Sequence, residues 1–370
     1  MSLPPISAER ALAKFLDLLQ IDSPSYHEQA VAAALERDLL ALGFQVENDR
    51  SGPDGVGNVV GLLPGGSGEP IALIAHTDTV EPGRGIHPRV EAGVVRSDGT
   101  TILGADDKQA IAAILEGVTA TLESVRPRVP IEVIFTWGEE KGHQGAKALD
   151  LTRLASRMGF VFDVGGPVGD VVTETPTHVG ILATFHGRAA HAGIEPEAGI
   201  SAIAAAARAI AAMPLGRLDA DTTANVGTIS GGTVRNAVPE VCVFEAEARS
   251  LDESRLAGQV AAMRRACEEG ARSVGATVGV EVTRSYAGFR LAPDAPVVRR
   301  AVEAVVAAGL SPRLVRTGGG SDANSLNERG LATVNLGTGM RDLHSTRESV
   351  DVADLERLAR VIAALLAVSG

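Results

Sequence analysis

Three short apolar segments separated by helical segments constrain the fold of this chain most strongly. The segments are 71–76, 131–137 and 159–163, and each is a short, largely apolar run that reads as a strand. β-Branched and aromatic residues dominate 131–137, which is typical of a buried strand. One helix is predicted from about Asp107 to Ser124, and another near 145–156. Strands that alternate with helices and are apolar on both faces indicate a parallel or mixed sheet with helices on both sides.

Two helices are predicted before the first of these strands. Ser7 can cap the first helix, whose apolar side chains fall on one face. The second helix is predicted to begin at the capping box Ser25-x-x-Glu28 and to end at Gly43, because glycine commonly follows the last turn of a helix.

The pattern changes after about residue 178, where the elements follow in the order βαββαβ that is typical of a ferredoxin-like fold. The predicted strands there are 179–186, 223–230, 241–249 and 276–284, and the helices are 199–213 and 254–273. A chain of 370 residues usually forms more than one domain. We therefore predict an α/β domain in two parts, 1–177 and 287–370, interrupted by an inserted domain, 178–286.

The composition limits the partners and the location of the chain. With 34 basic and 46 acidic residues the net charge is −12, which disfavours nucleic acid or an anionic membrane and is compatible with cation binding. Cys242 and Cys267 are predicted to be buried apolar residues in a reducing compartment, although the sequence does not exclude a disulfide between them. No signal-peptide pattern or membrane-spanning apolar run is present, so we expect a cytoplasmic protein.

Side chains that could bind a metal lie at the ends of predicted strands and at the start of a helix. They are His76 with Asp78, Asp106 with Asp107, Glu139 with Glu140, Asp163, and His344. Each alone has an ordinary explanation as a structural histidine, an N-cap or an exposed acidic turn. Their accumulation is hard to obtain by chance, since strands of an open α/β sheet present functional groups at their carboxyl ends. Of two adjacent carboxylates, one could bind a cation and the other move protons.

These segments resemble the co-catalytic dizinc peptidases, the family that includes peptidase T, carboxypeptidase G and the aminoacylases. The matching motifs are His76-Thr-Asp78-Thr-Val, Gly104-Ala-Asp106-Asp107-Lys108, Gly138-Glu139-Glu140, Phe162-Asp163, Gly187-Arg-Ala-Ala-His191, Gly231-Gly-Thr-Val-Arg-Asn236-Ala-Val-Pro239 and Leu343-His344-Ser345. The similarity covers essentially the whole chain, and with Gly318-Gly-Gly-Ser-Asp322 it is most similar to the peptidase T branch. The resemblance implies a zinc-peptidase catalytic domain with a mixed sheet, interrupted by a ferredoxin-like lid or dimerisation domain.

The resemblance also implies a site for two zinc ions, for which Mn²⁺ or Co²⁺ could substitute. Asp106 would bridge the two ions, roughly 3.5–4 Å apart as in other two-metal sites. His76 and Asp163 would complete one site, and Glu140 and His344 the other. Nitrogen and oxygen ligands with open positions for water and substrate suit zinc.

The remaining catalytic roles follow from the same resemblance. Glu139 would be the general base that moves a proton from water to the leaving amine. Asp78 would hydrogen-bond the free nitrogen of His76 and fix its tautomer. The peptide bond between Asp106 and Asp107 would be cis, as in the family.

The inserted domain is expected to supply groups that contact the substrate. His191 resembles the histidine that hydrogen-bonds the developing oxyanion. Asn236 and Arg249 match positions that hold the substrate backbone and its carboxylate, and an arginine can pair with a carboxylate bidentately. Ser321 with the preceding glycines could approach the substrate through the backbone, or could form an ordinary tight turn. His27, His87, His143, His178 and His186 match no motif and are predicted to be surface or structural residues.

The resulting prediction is a zinc-dependent, tripeptidase-like aminopeptidase that cleaves the N-terminal peptide bond of small peptides. An N-acyl amino acid deacylase or a carboxypeptidase would use the same metal ligands, and no residue in the sequence decides between them. A catalytically silent, metal-dependent peptide-binding protein is a further alternative, although it would need neither Glu139 nor His191. The sheet edge of the inserted domain could also pair with a second copy in a homodimer. The sequence does not say whether His191 acts within its own chain.

Overall fold

The computed structural model describes residues 3–124 and 126–368 and divides into two compact units. The first unit comprises Met1–Thr173, Arg290–Arg316 and Ser321–Gly370, and the second comprises Glu174–Phe289 and Thr317–Gly320. The predicted inserted domain, 178–286, lies within the second unit. Its boundaries as a folding domain remain a prediction. Among the described residues, no helix combines the length and the apolar character needed to cross a membrane.

Helices and strands alternate along most of the described chain. The helices are α1 (Ala8–Leu19), α2 (Gln29–Ala41), α3 (Ala105–Glu123), α4 (Gln144–Ala148), α5 (Ala202–Ala212), α6 (Glu253–Arg272), α7 (Pro296–Ala307), α8 (Asp322–Glu328) and α9 (Val352–Leu366). The first strands are β1 (Gln45–Asn48), β2 (Val59–Leu63), β3 (Ile71–His76), β4 (Arg89–Glu91), β5 (Val94–Arg96), β6 (Ile131–Thr136), β7 (Met158–Val164) and β8 (Asp170–Thr175). The later strands are β9 (Thr177–His186), β10 (Gly216–Arg217), β11 (Thr222–Gly231), β12 (Val241–Ser250), β13 (Thr277–Tyr286), β14 (Phe289–Arg290), β15 (Arg313–Arg316), β16 (Ala332–Gly337) and β17 (Ser349–Asp351).

A mixed sheet forms the centre of the first unit, as the sequence predicts. Its strands run in the order β1-β2-β6-β3-β7-β16-β8, and β15 also pairs with β8. β3 is parallel to β6 and β7, and β7 is parallel to β16, whereas β1, β2 and β8 make antiparallel pairs. Every residue of β3 and β6 is buried, which explains why these segments are largely apolar. The carboxyl ends of β3, β6, β7 and β16 therefore meet at one edge of the sheet.

Helix α3 is almost entirely buried and places its N-terminus at the same edge. It packs against β3 and β7 and against α1 and α9. Gly117 makes the contact with α9 close, because a β-carbon there would lie 2.7 Å from Cγ2 of Ile362 and 2.9 Å from the carbonyl oxygen of Ala359. The other end of the helix is thus fixed by packing, and its first turn is available to the edge of the sheet.

The second unit has the predicted βαββαβ order. Its antiparallel strands run β10-β11-β12-β9-β13, with only the short β10 added to the prediction. Helices α5 and α6 pack on each other and on this sheet. The resulting core contains Cys242 and Cys267, which are both buried, as predicted, and both free.

Two local predictions in the first unit are wrong. Helix α2 begins at Gln29, and no side chain caps it. Ser25 instead donates to Asp78, and the carboxylate of Glu28 accepts from the backbone N–H of Gly138. The helix expected near 145–156 is divided, because Asp150 accepts from the N–H of Thr152 and begins a separate 3-10 turn.

Candidate metal centre

The predicted metal ligands come from the ends of three strands, from the loop after β16 and from the first turn of α3. His76 is the last residue of β3, and Asp163 lies near the end of β7. Glu139 and Glu140 form a 3-10 turn directly after β6, where Gly138 at φ 58° allows the chain to turn sharply. His344 lies in the loop that follows β16, also at positive φ. All of these residues belong to the first unit, which brings them together.

Asp106 lies at the centre of the group, with its two carboxylate oxygens facing different histidines. Oδ1 is 2.9 Å from Nε2 of His76, and Oδ2 is 3.3 Å from Nε2 of His344. Nε2 of His344 is also 2.9 Å from Oε1 of Glu140, and Nε2 of His76 is 4.0 Å from Oδ1 of Asp163. One carboxylate between two groups of nitrogen and oxygen atoms is the arrangement that a bridged pair of metal ions requires.

The geometry of the donor atoms fits metal binding. Ligand atoms of His76, Asp106 and Glu140 all lie within 4.8 Å of one another, and so do those of His76, Glu139 and Asp163. These groupings place Glu140 near His76 as well as near His344, so the division of ligands between two ions stays a prediction. Imidazole and carboxylate donors together are suited to zinc and to other first-row divalent metals.

The electrostatics of the group also favour a cation. Burial raises the pKa of Glu139 and of Asp163 well above the usual range for a carboxyl, and neighbouring carboxylates add to it. Burial acts to lower the pKa of His76, but Asp106 and Asp78 outweigh it, and the pKa is raised well above its usual value. Hydrogen bonds to Asp106 and Glu140 raise the pKa of His344 to about 10. Closely spaced buried carboxylates repel one another, and a bound divalent cation would relieve this repulsion.

Asp78 connects the end of β3 to the Glu139–Glu140 turn. Its Oδ1 is 3.3 Å from Nδ1 of His76, and its main-chain carbonyl oxygen is 3.0 Å from the same nitrogen. The carboxylate also accepts from the backbone N–H groups of Glu139 at 2.9 Å and Glu140 at 3.2 Å, and from Ser25 Oγ at 2.6 Å. Acceptors at Nδ1 favour the tautomer in which Nε2 of His76 is free to bind a metal.

Glu348 holds the segment that carries Asp106, and sequence reasoning missed it. Its buried carboxylate accepts from the backbone N–H groups of Leu103 at 2.8 Å, Gly104 at 2.7 Å and Asp106 at 3.0 Å. Burial raises the pKa of this carboxyl to about 7. The peptide bond between Asp106 and Asp107 is cis, as the resemblance implies.

Other missed side chains support the remaining ligand-bearing segments. Asn335 on β16 accepts from the N–H of Asp163 at 2.8 Å and donates to its carbonyl at 2.7 Å. Thr136 at the end of β6 donates to Asp322 at 2.5 Å, and burial raises the pKa of Asp322 to about 6. Asn335 is distant in sequence from Asp163, and Asp322 is distant from Thr136, so no local pattern could have identified these contacts.

Ser321 occupies the N-cap position of α8 and is buried. Its backbone N–H donates to Oδ1 of Asn324 at 3.1 Å. The position thus begins a short helix rather than an isolated tight turn. A contact with substrate remains a prediction for this residue.

His191 and Asn236 lie in adjacent exposed loops of the second unit. His191 forms a β-bridge with Ala237, and the N–H of Ala192 donates to the carbonyl of Asn236 at 3.0 Å. The N–H of Gly193 donates to Nδ1 of His191 at 3.2 Å. A neutral imidazole held in this way carries its proton on Nε2.

Arg249 lies on β12 of the second unit among polar groups. Its guanidinium is 2.9 Å from Oε2 of Glu247, and weaker contacts reach the hydroxyl of Tyr286 at 3.5 Å and the carbonyl of Gly318 at 3.4 Å. His178, which is predicted to be structural, also contacts Glu247 at 2.9 Å. Its hydrogen bond, together with Arg249, lowers the pKa of Glu247 to about 2.

Known proteins resemble this chain in sequence and in structure. The pattern of peptidase family M20/M25/M40 matches residues 72–368. The aminopeptidase PepT of Bacillus cereus ATCC 10987 is 41% identical and has a TM-score of 0.85, and 98% of each chain is covered. A tripeptidase of Staphylococcus aureus subsp. aureus Mu50 is 38% identical with a TM-score of 0.91, again over 98% of each chain. Peptidase T of Vibrio cholerae serotype O1 (strain ATCC 39541) is 27% identical over 96% of this chain and 87% of its own. The chain therefore belongs to peptidase family M20/M25/M40, as a peptidase T-like member.

Proposed function

We propose that this protein is a dizinc aminopeptidase that hydrolyses the N-terminal peptide bond of small peptides, including tripeptides. The observation that carries the proposal is the position of Asp106, whose two oxygens face His76 and His344 beside the buried carboxylate of Glu139. The similarity to an aminopeptidase PepT and to a tripeptidase, each over 98% of both chains, supports this substrate class.

The residues of the first unit would bind the metals and move the proton. His76 and Asp163 would hold one ion, Glu140 and His344 the other, and Asp106 both. When bound, zinc acidifies water and polarises the scissile carbonyl. Glu139 would take a proton from the attacking water and give it to the leaving amine. Burial raises the pKa of its carboxyl, which makes the carboxylate a stronger proton acceptor.

The residues of the second unit would bind the substrate. Nε2–H of His191 would donate to the developing oxyanion, since Nδ1 accepts from Gly193. Asn236 would hydrogen-bond the peptide backbone, and Arg249 would pair with the substrate carboxylate. Ser321, in the first unit, would approach the substrate through its backbone.

The proposal includes a cytoplasmic location and two Zn²⁺ ions as the resident metals. Two buried, free cysteines support a reducing compartment. Metal identity and number can be determined by elemental analysis of protein purified without added metal. A homodimer through the second unit remains a prediction.

A substrate panel on metal-replete protein tests the reaction. The panel contains tripeptides of the Met-Gly-Gly type, dipeptides and N-acetyl amino acids, and the peptides are tested with free and with blocked N-termini. We expect cleavage of the free-amine peptides alone. Cleavage of the acylated substrates alone would show that the protein is a deacylase and not an aminopeptidase. Release of the C-terminal residue from blocked peptides would indicate a carboxypeptidase. No turnover with two metals bound would favour a peptide-binding protein.

Substitution of Glu139 tests the mechanism. Glu139→Gln should lower turnover by about 10²–10⁴-fold, the usual contribution of a general base. The bound metal should be unchanged by elemental analysis. Glu69→Gln, at an exposed glutamate, is the matched control and should retain full turnover. Retained activity of Glu139→Gln would refute the assignment of the base.

A further inference from the structure

His143 is a buried histidine that contacts the proposed general base. It is 3% exposed, and its Nε2 lies 3.2 Å from Oε1 of Glu139. Its other ring nitrogen, Nδ1, is 3.2 Å from Oγ of Ser325, which is itself buried in α8. Both contacts lie within the first unit. The imidazole thus lies between the catalytic turn after β6 and helix α8.

We infer that His143 is a positioning residue, which holds one oxygen of Glu139 so that the other is free to move the proton. The inference rests on the proposed role of Glu139 as the base. The ionised carboxylate of Glu139 can only accept, so it favours the tautomer of His143 that carries its proton on Nε2, and Nδ1 can then accept from the hydroxyl of Ser325. The carboxylate is then oriented by a hydrogen bond from a side chain that is itself held at its opposite end.

The backbone of His143 supports a role for the side chain. Its φ is +59°, in the left-handed region that costs an ordinary residue roughly 1–2 kcal/mol and that glycine adopts freely. The turn itself needs only main-chain groups, because the N–H of His143 donates to the carbonyl of Glu139 at 2.8 Å. A glycine or an asparagine would make this turn at lower cost. The contact between the imidazole and Glu139 would explain why a histidine occupies this position.

The contact completes the restraint of Glu139. Its backbone N–H is held by Asp78 at 2.9 Å, and its side-chain carboxylate by His143. With its main chain and its carboxylate both held, the side chain of Glu139 samples few orientations. The carboxylate oxygen that His143 does not contact is then kept in a geometry suitable for proton transfer. Preorganisation of this kind lowers the barrier of the chemical step rather than the strength of substrate binding.

Two substitutions separate the donor at Nε2 from the fold of the turn. Asparagine tolerates a left-handed backbone, but its amide is too short to reach Glu139, so His143→Asn keeps the turn and removes the donor. The amide nitrogen of glutamine extends about as far as Nε2, so His143→Gln retains a donor. For His143→Asn we expect kcat to fall by about 10–100-fold, as for other supporting partners of catalytic groups, with KM nearly unchanged. His143→Gln should recover much of this loss, although its backbone is less favourable. The control is His87→Asn, at an exposed histidine.

The test combines these variants with Glu139→Gln and uses the panel substrate that the wild-type protein hydrolyses. If His143 acts through Glu139, His143→Asn changes the residual turnover of Glu139→Gln by less than about twofold, since residues that act as a unit are not additive. Metal content and thermal stability are measured for every variant. A merely structural role would give equal losses in His143→Asn and His143→Gln, with lower melting temperature, and would overturn the inference. Full activity of His143→Asn, together with impaired activity of Glu139→Gln, would overturn the role of His143 but not the proposed function. Full activity of Glu139→Gln, or a wild-type protein without turnover, would overturn the proposed function as well.

Discussion

Replacing Glu348 tests how the segment before α3 keeps Asp106 in place. The carboxylate accepts three backbone N–H groups with two oxygens, Oε2 from Leu103 and Gly104 and Oε1 from Asp106. In Glu348→Gln one oxygen becomes an amide nitrogen, which is a donor. The better orientation of the amide keeps the pair at Oε2 and turns the nitrogen toward Asp106. The buried N–H of Asp106 then faces another donor.

The size of the effect follows from these contacts. Leaving one buried N–H without an acceptor costs about 1–3 kcal/mol, and above the pKa of Glu348, about 7, the two remaining bonds also lose the assistance of a charge. We expect a total loss of about 2–4 kcal/mol in the free energy of unfolding. At about 2–4 °C per kcal/mol for a large domain, the melting temperature should fall by about 4–16 °C. Metal affinity should also fall, by about 10–100-fold, because the bridging ligand is no longer held.

Thermal unfolding with and without a chelator separates the two effects. With chelator present, the difference in melting temperature between Glu348→Gln and the wild-type protein measures the loss of hydrogen bonds alone. The further rise in melting temperature on metal addition measures the metal affinity of each protein through mass action. Glu91→Gln, at an exposed glutamate of β4, is the matched control. A chelated Glu348→Gln protein that melts within about 1 °C of wild type would refute the argument, because a buried N–H would then have lost its acceptor without cost.

Two further predictions concern the second unit. Arg249→Met should raise KM for tripeptides by roughly 10–100-fold, since it removes a charge-assisted hydrogen bond to the substrate carboxylate. The KM of an amidated tripeptide, which lacks that carboxylate, should differ little between the variant and the wild-type protein. Equal increases in KM for both substrates would contradict the role of Arg249. Gly187→Ala should open the backbone bridge between Arg188 and Ile200, because a β-carbon would lie 2.0 Å from the Ile200 carbonyl oxygen. Hydrogen exchange of the Arg188 amide should accelerate, whereas unchanged protection would show that the clash is absorbed elsewhere.

The positions of most candidate ligands could be predicted because they lie where the chain pattern changes, whereas His344 is identified through the family resemblance alone. His76 ends a strand that is buried throughout, and Glu139 and Glu140 directly follow another. In a parallel sheet such ends meet, so strands recognised one at a time are enough to bring their terminal residues together. The same reasoning identifies the βαββαβ unit, whose alternating and helical periodicities are local properties of the sequence.

The supporting contacts could not be predicted, because their partners are distant in sequence. Ser25 and Glu28 form a typical capping-box pattern, yet they hydrogen-bond Asp78 and Gly138 instead. The local pattern describes what a short peptide would do, and the folded chain offers these side chains better-placed partners. His143 is missed for a related reason, since burial and a contact with Glu139 depend on how α8 packs.

Three buried carboxylates that are not candidate ligands hold the backbone of the segments that carry the ligands. Asp78 accepts from Glu139 and Glu140, Glu28 from Gly138, and Glu348 from the start of α3. Segments beyond the ends of strands have no neighbouring strand to satisfy their N–H groups, and a buried N–H without an acceptor is costly. A carboxylate satisfies several such groups at once and adds negative charge near a cation site. Some acidic residues around this site would therefore bind the metal, and others hold the backbone that carries the ligands. Substitution of the second kind should weaken metal binding even though every ligand is kept.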